Sequence, residues 1–229
     1  MLGAATGKVD EQVTEARSRL LATASRLFYA EGLHSVGIDR VVSEASVTRA
    51  TLYRHFPSKD DLVVAYLGEA DRAIRARTEA TRAEGLPADD VVRAVAASIA
   101  DDIRSATFRG CAFLNAAAEY PDPAHPVHRA VVEHREWFQR TAAELLGRTG
   151  EPAPEAAARH FVMLRDGAMA AGCLSDPAPI CETFLLGVEE LLERGGSPAG
   201  PRTSPGPGTS PGLRTPAGPR SEKASRRTP

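Results

Sequence analysis

The sequence predicts an all-α chain of nine helices, a three-helix helix-turn-helix head followed by a larger helical body. Three observations carry that prediction. Apolar residues recur at the i, i+3, i+4, i+7 spacing of helices with one buried face. Strand-like alternation is absent, and Gly and Pro punctuate between periodic stretches instead of recurring in hairpin patterns. Between Ser43 and Lys59 the chain reads SEASVTRATLYRHFPSK, a short helix, a tight turn and a second short helix.

The elements follow in order. Residues 1–12 are expected to form a flexible N-terminus, and the first helix to run from about Val13 to Ala30. Leu20, Ala24, Leu27 and Phe28 give it an apolar stripe, and Gly32 stops it. A second helix is predicted over about Ile38 to Ala45 and a third over Arg49 to His55. Pro57 blocks further extension, and Ser58 with Asp61 reads as a capping box opening a long fourth helix to about Ala83. The head therefore spans 13–60.

In the body, 61–194, Val91, Val95, Ile99 and Ile103 mark a fifth helix. A sixth is expected from about Gly110 to Glu119, ended by the rigid run PDPAHP. A seventh covers about Val127 to Leu146, an eighth Pro154 to Cys173, and a ninth Ala178 to Arg194. From Gly195 onward 15 of 35 residues are Gly or Pro, too little apolar surface to offset ordering entropy, so 195–229 is expected to be a disordered basic tail.

The net charge of −2 argues against nucleic acid until its distribution is read. From Arg17 to Lys59 there are seven Lys/Arg against three Asp/Glu, whereas from Asp60 to Arg194 there are fourteen against twenty-three. A basic head on an acidic body concentrates phosphate attraction at one pole. Three cysteines without CxxC spacing suit a reducing cytoplasm, and no apolar run approaches the ~20 residues of a membrane span. The N-terminus lacks the pattern of a secretory signal, so a cytoplasmic protein is expected. No serine elbow, P-loop or dinucleotide fingerprint appears, which argues against an enzyme, and no cofactor is expected. Glu119, His125, His128 and His134 lack metal-ligand spacing and read as a charge cluster around a helix start, so no metal site is expected.

In the head, Ala45 and Ser46 let two helices approach, and Val47, Leu52 and Phe56 pin the third helix inward. Its other side carries Arg49, Thr51, Tyr53, Arg54 and His55, donors suited to phosphate and base edges in a major groove.

On these residues, the segment from about Arg17 to Tyr66 resembles the TetR family of bacterial transcriptional regulators. The matching positions are Gly32, then Val41, Val42, Ala45, Ser46 and Val47, then Leu52, Tyr53, His55, Phe56 and Lys59 with Asp61 and Leu62. The resemblance implies that Arg49, Ala50 and Thr51 face base edges; Asp39, an acid near the DNA, reads either as a first-turn helix charge, the more frequent role, or as an acceptor from cytosine. It implies phosphate contacts from Thr48, Tyr53, His55 and Lys59, and from the backbone at Gly37 and Ile38, where a helix dipole favours anions. Two positions depart from the family pattern. Ser46 stands where Gly is usual, and Gly37 where a capping Thr is usual.

Two heads related by a two-fold axis would read a pseudo-palindromic operator on double-stranded DNA. A homodimer seam is expected from Gly167, Ala168 and Ala171 of the eighth helix and Phe184, Leu185, Val188 and Leu191 of the ninth. A pocket for a small-molecule effector is expected from Phe108, Cys111, Phe113 and Asn115, with Trp137, Phe138, Phe161 and Met163. The leading expectation is thus a TetR-like repressor released from its operator by that effector. A thiol-responsive regulator acting through Cys111 stays open, as does a helical interaction protein that no longer binds DNA.

Overall fold

In the computed structural model, the described residues are 3–196 for the backbone and 14–194 for the side chains; the tail expected to be disordered lies outside them. Among the described residues the chain is entirely helical and loop-linked, in the order α1 (Gly3–Glu31), α2 (Ile38–Glu44), α3 (Arg49–His55), α4 (Lys59–Ala83), α5 (Ala88–Arg104), α6 (Ala112–Glu119), α7 (Pro126–Arg148), α8 (Pro154–Ala171) and α9 (Pro177–Gly196). Two boundaries differ usefully from expectation. Helix α1 opens at Gly3 rather than Val13: once a helix is nucleated each added residue contributes a hydrogen bond, which carries it on through Gly7 to Gly3. Helix α7 opens at Pro126 rather than Val127 and, like α8 at its expected start Pro154, carries Pro in its first turn, where its fixed φ suits the helix and its missing N–H is not needed.

Local chemistry sets the other ends. Gly32 takes φ +95° after α1, a left-handed conformation that an L side chain resists. The Ser58 hydroxyl accepts from the Asp61 N–H at 3.1 Å and donates to its carboxylate at 2.7 Å, which starts α4.

The head closes around Leu20, Leu27, Val36, Val41 and Leu52, all fully buried, and α4 extends the same core with Leu62, Val63 and Leu67. Burying each such side chain contributes about 1.5–3 kcal/mol. In the body, α7 packs on α8, α8 on α9 and α9 on α5, while α6 lies against α7 and α4. Gly187 of α9 lets the two last helices close up, since a Cβ there would meet Leu164 Cδ1 at 3.2 Å.

Helix α6 is tied to the head at both ends. Before its first turn, the Tyr29 hydroxyl donates to Gly110 O at 2.9 Å and accepts from Arg109 N at 3.0 Å. At its last residue, the Glu119 carboxylate accepts from the N–H groups of Leu33 (2.8 Å) and His34 (2.6 Å) in the α1–α2 loop.

Candidate nucleic-acid interface and interior cavities

The turn between α2 and α3 is a Schellman motif: Val47 N–H reaches Val42 O at 3.0 Å and Ser46 N–H reaches Ser43 O at 3.2 Å. Ser46 sits at its left-handed position with φ +53°. Thr48 then caps α3, its hydroxyl accepting from Thr51 N at 3.1 Å and lying 3.0 Å from the Thr51 hydroxyl. Leu52 and Phe56 are buried inward, which turns Arg49, Ala50, Tyr53 and Arg54 to solvent with Thr51 half-buried beside them. Across the turn, Gly37 precedes α2 without a side-chain cap, and a Cβ there would meet nothing within 4 Å. Ile38 is half-buried and Asp39 exposed.

Charge on this face is largely paired within the head. Arg49 bonds Asp39, so two residues expected to read bases hold each other. Arg26 and Arg40 both bond Glu44, which holds that carboxyl below its usual range, and Arg40 also bonds Glu31. Arg54 has no carboxylate partner among the described side chains, yet sequence reasoning left it out of the phosphate set. Its run of three unlike polar neighbours, Tyr53-Arg54-His55, was the available signal.

Two of the expected phosphate ligands are turned partly inward. Lys59 is half-buried with its Nζ donating to His34 O at 3.4 Å, and burial pushes its ammonium below the ordinary lysine range. His55 is half-buried too, its Nε2 enclosed without a hydrogen-bond partner. Burial, reinforced by Arg54 and Arg17, lowers its pKa, so it stands neutral at pH 7.

In the body, α6 separates two cavities. One, about 280 Å³, opens beside Tyr29, Ile74, Asp102, Phe108 and Met169. The other, about 300 Å³, is a half-open cleft between α6, α7 and α8, with Leu114, His128, Val131, Val132, His134, Arg135 and Asp166 in its wall. Cys111, Phe113 and Arg165 line both. Of the expected pocket residues, Phe108, Cys111, Phe113 and Phe138 line these spaces, while Phe161 packs with Phe138 around a void of only about 10 Å³.

Three expected pocket residues lie elsewhere. Met163 is 70% exposed on the outer face of α8. Asn115 is exposed, its amide donating to Arg109 O at 2.9 Å in a cleft against α1. Trp137 is half-buried on the α4 side of α7, under the Arg75 guanidinium at 4.2 Å from its ring centre. Residue type alone had assigned them, whereas their register on each helix points away from the cavities.

Register also exposes what was missed. On α8 the buried positions run Ala157, Ala158, Phe161, Val162, Arg165, Ala168 and Met169, so a charged residue occupies a core position. On α7, His134 stands in the buried series Val127, Val131, Phe138 and Thr141. The Arg165 guanidinium donates to Asp166 at 3.0 Å and to Cys111 Sγ at 3.5 Å, and lies 4.8 Å from the centre of the Phe138 ring. The His134 ring stacks on Phe113 at 3.6 Å, and its Nδ1 is 2.7 Å from the Asp71 carboxylate. Glu119, His125, His128 and His134 each face a different partner: the Leu33 and His34 backbone, Asp60, Tyr120 O and Asp71.

Four of the seven expected dimer residues are already covered within the protomer. Ala168, Phe184, Val188 and Leu191 are buried inside the protomer, where α8 and α9 meet each other and α5. Gly167 is exposed, and Ala171 and Leu185 half-buried. The apolar groups left outside on these helices are Met163 and Leu186 (61% exposed), with Leu174 just past α8.

A buried three-helix head, an exposed polar α3 and a helical body with interior cavities define a helix-turn-helix regulator of the one-body, DNA-head-first kind. Residues 20–66 match the family model for bacterial regulatory proteins of the tetR family. The chain is 65% identical to the crystal structure of SCO4454, a TetR-family transcriptional regulator from Streptomyces coelicolor, covering 80% of this chain and 97% of that one with a TM-score of 0.78. A putative TetR transcriptional regulator from Streptomyces avermitilis is 26% identical over 76% of this chain and 98% of its own, with a TM-score of 0.64. Among curated proteins, the HTH-type transcriptional activator FasR of Mycolicibacterium smegmatis is 42% identical over 53 residues, 23% of this chain. That match spans about a quarter of FasR, 24% of its length. The chain belongs to the TetR family of DNA-binding transcriptional regulators. Among the described residues, no helix is long and apolar enough to cross a membrane.

Proposed function

We propose that the chain acts in the cytoplasm as a homodimeric repressor whose two heads hold a pseudo-palindromic operator until a small effector enters the body. The observation that carries this reading is the placement of α6. Its side chains Phe113, Leu114 and Ala117, with Cys111 at its cap, line the cavities, and its two ends hold the head through Tyr29 and Glu119. A ligand that displaces α6 must therefore move, or release, the α1–α2 loop. Effector action then equals the ligand's differential affinity for the two head positions. On the DNA side, Arg49, Ala50 and Thr51 are proposed to read base edges, with Tyr53, Arg54 and the Gly37–Ile38 backbone on phosphates. In the dimer, Met163, Leu186 and their neighbours on α8 and α9 would meet their two-fold copies.

Fluorescence anisotropy on DNA from the chain's own upstream region tests the reading. Saturable binding with two protomers per site is expected. Failure to bind any such fragment under low salt would instead favour a helical interaction protein. Reporter output with and without the chain decides repression against activation, the role for which FasR is named.

One contact favours a second reading, a thiol-responsive switch. Cys111 Sγ accepts from the Arg165 guanidinium at 3.5 Å in the wall of both cavities, so an oxidant or electrophile that enters either one meets this thiol. Loss of a peroxide or electrophile response in Cys111→Ser, with ligand response intact, would single it out.

A further inference from the structure

Arg165 and His134 are 5% and 3% exposed in a wall that is otherwise mostly apolar. Each is incompletely satisfied. Arg165 and Arg135 share one carboxylate: Arg165 bonds one Asp166 oxygen at 3.0 Å and Arg135 the other at 2.7 Å. The 300 Å³ cavity that these three residues line thus has a surplus positive charge, and one of its cations is buried. A buried cation without a full counter-charge is costly, and a guanidinium has five N–H donors, of which Arg165 gives one to a carboxylate and one to a sulfur.

The His134 tautomer follows from its neighbour. Asp71 also accepts from Arg75 at 2.6 Å; burial opposes its charge, but the Arg75 and His134 donors together hold its carboxyl below the usual range. The imidazole nitrogen facing an ionised carboxylate must carry the proton, so Nδ1 donates. Burial lowers the His134 pKa, and the neutral ring leaves Nε2 a lone-pair acceptor, enclosed and without a partner. The wall therefore offers cationic donors at Arg165 beside the flat faces of Phe113 and Phe138, and behind those rings lies an unused acceptor, His134 Nε2, which a ligand reaches only by parting the stack.

We infer that this cavity takes a hydroxylated aromatic acid: a flat one- or two-ring molecule with a carboxylate for Arg165 and a hydroxyl donor for His134. The volume agrees, lying at the lower end of the ~300–1,000 Å³ found for ligand pockets. The inference rests on the reading of the body as an effector-binding domain and names the chemistry of that site.

Isothermal titration of the full chain with 3- and 4-hydroxybenzoate, benzoate, phenol, 4-hydroxybenzamide and benzylamine tests it. One of the hydroxybenzoates should bind at least tenfold tighter than benzoate or phenol. Arg165→Gln should weaken that acid tenfold or more and leave phenol unchanged. Arg135→Gln, at a residue outside the core, should weaken it severalfold, which keeps the test open if Arg165→Gln fails to fold. His134→Phe preserves the ring stack and should make hydroxybenzoate and benzoate equal. Benzylamine or the benzamide binding as tightly as the acids, or acids indifferent to both arginine variants, would overturn the inference. Anisotropy on operator DNA separates the two layers. An acid that binds without shifting DNA affinity supports the cavity chemistry and sinks the effector role. Operator release by benzylamine or phenol, without acid binding, overturns the chemistry and leaves the effector role standing.

Discussion

Ser46 holds a backbone conformation that costs an L residue roughly 1–2 kcal/mol, because the Schellman turn between α2 and α3 demands a left-handed residue there. Ser46→Gly should stabilise the chain by about 1 kcal/mol after the extra entropy of glycine is counted, raising Tm by about 2–4 °C in a calorimetric scan. An unchanged or lowered Tm would show that Ser46 is compensated elsewhere. Arg49→Ala should cost about 1–3 kcal/mol on the specific operator and relax preference at one base position; unaltered discrimination in a titration would remove it from the base-reading set.

His134 and His55 both hold pKa values below the ordinary histidine range, for which burial is the main cause. The unfolded chain therefore binds more protons than the folded one as pH falls below about 6.5, and stability is lost on the way down, not on the way up. Each group can contribute at most about 1.4 kcal/mol per pH unit. His134→Gln keeps a donor for Asp71 and should flatten the fall in Tm between about pH 6.5 and 5; an identical slope would clear His134 of responsibility.

At the scale of elements, legibility followed the reach of the interaction. The bounds of α3 and the Ser58 cap of α4 came from neighbours within three or four residues, and the structure has them at Arg49–His55 and Ser58. The tie between Glu119 and Leu33 crosses 86 residues, and no local pattern announces it. For α8 and α9 the difficulty was excess, since α9 is apolar on more than one side. Only its neighbours α5 and α8 decide that Phe184 and Val188 go inward and Leu186 outward. Arg165 and His134 were legible in principle, as polar residues in an apolar register, had register outweighed residue type. Glu119→Ala removes the acceptor for two backbone N–H groups and should destabilise by about 1–3 kcal/mol, with faster hydrogen exchange at the Leu33 and His34 amides. Protection unchanged at both amides would mean that α6 is not the link to the head.

For the whole molecule, the exposed apolar groups of the α8–α9 face should decide oligomeric state. Leu186→Glu places a charge in the proposed seam without touching the protomer core, so light scattering should read a monomer and operator binding should lose its two-protomer stoichiometry. A dimer that survives the change would move the seam elsewhere.

The Arg49–Asp39 pair gives the reading head a built-in competitor. On the proposed reading, Arg49 would keep its own carboxylate wherever the head rests on unrelated sequence and would exchange it only for a base edge that bonds it better. Random DNA would then be held loosely and the true site firmly, so Asp39→Asn should tighten non-specific binding more than operator binding and lengthen residence on non-operator DNA in single-molecule tracking.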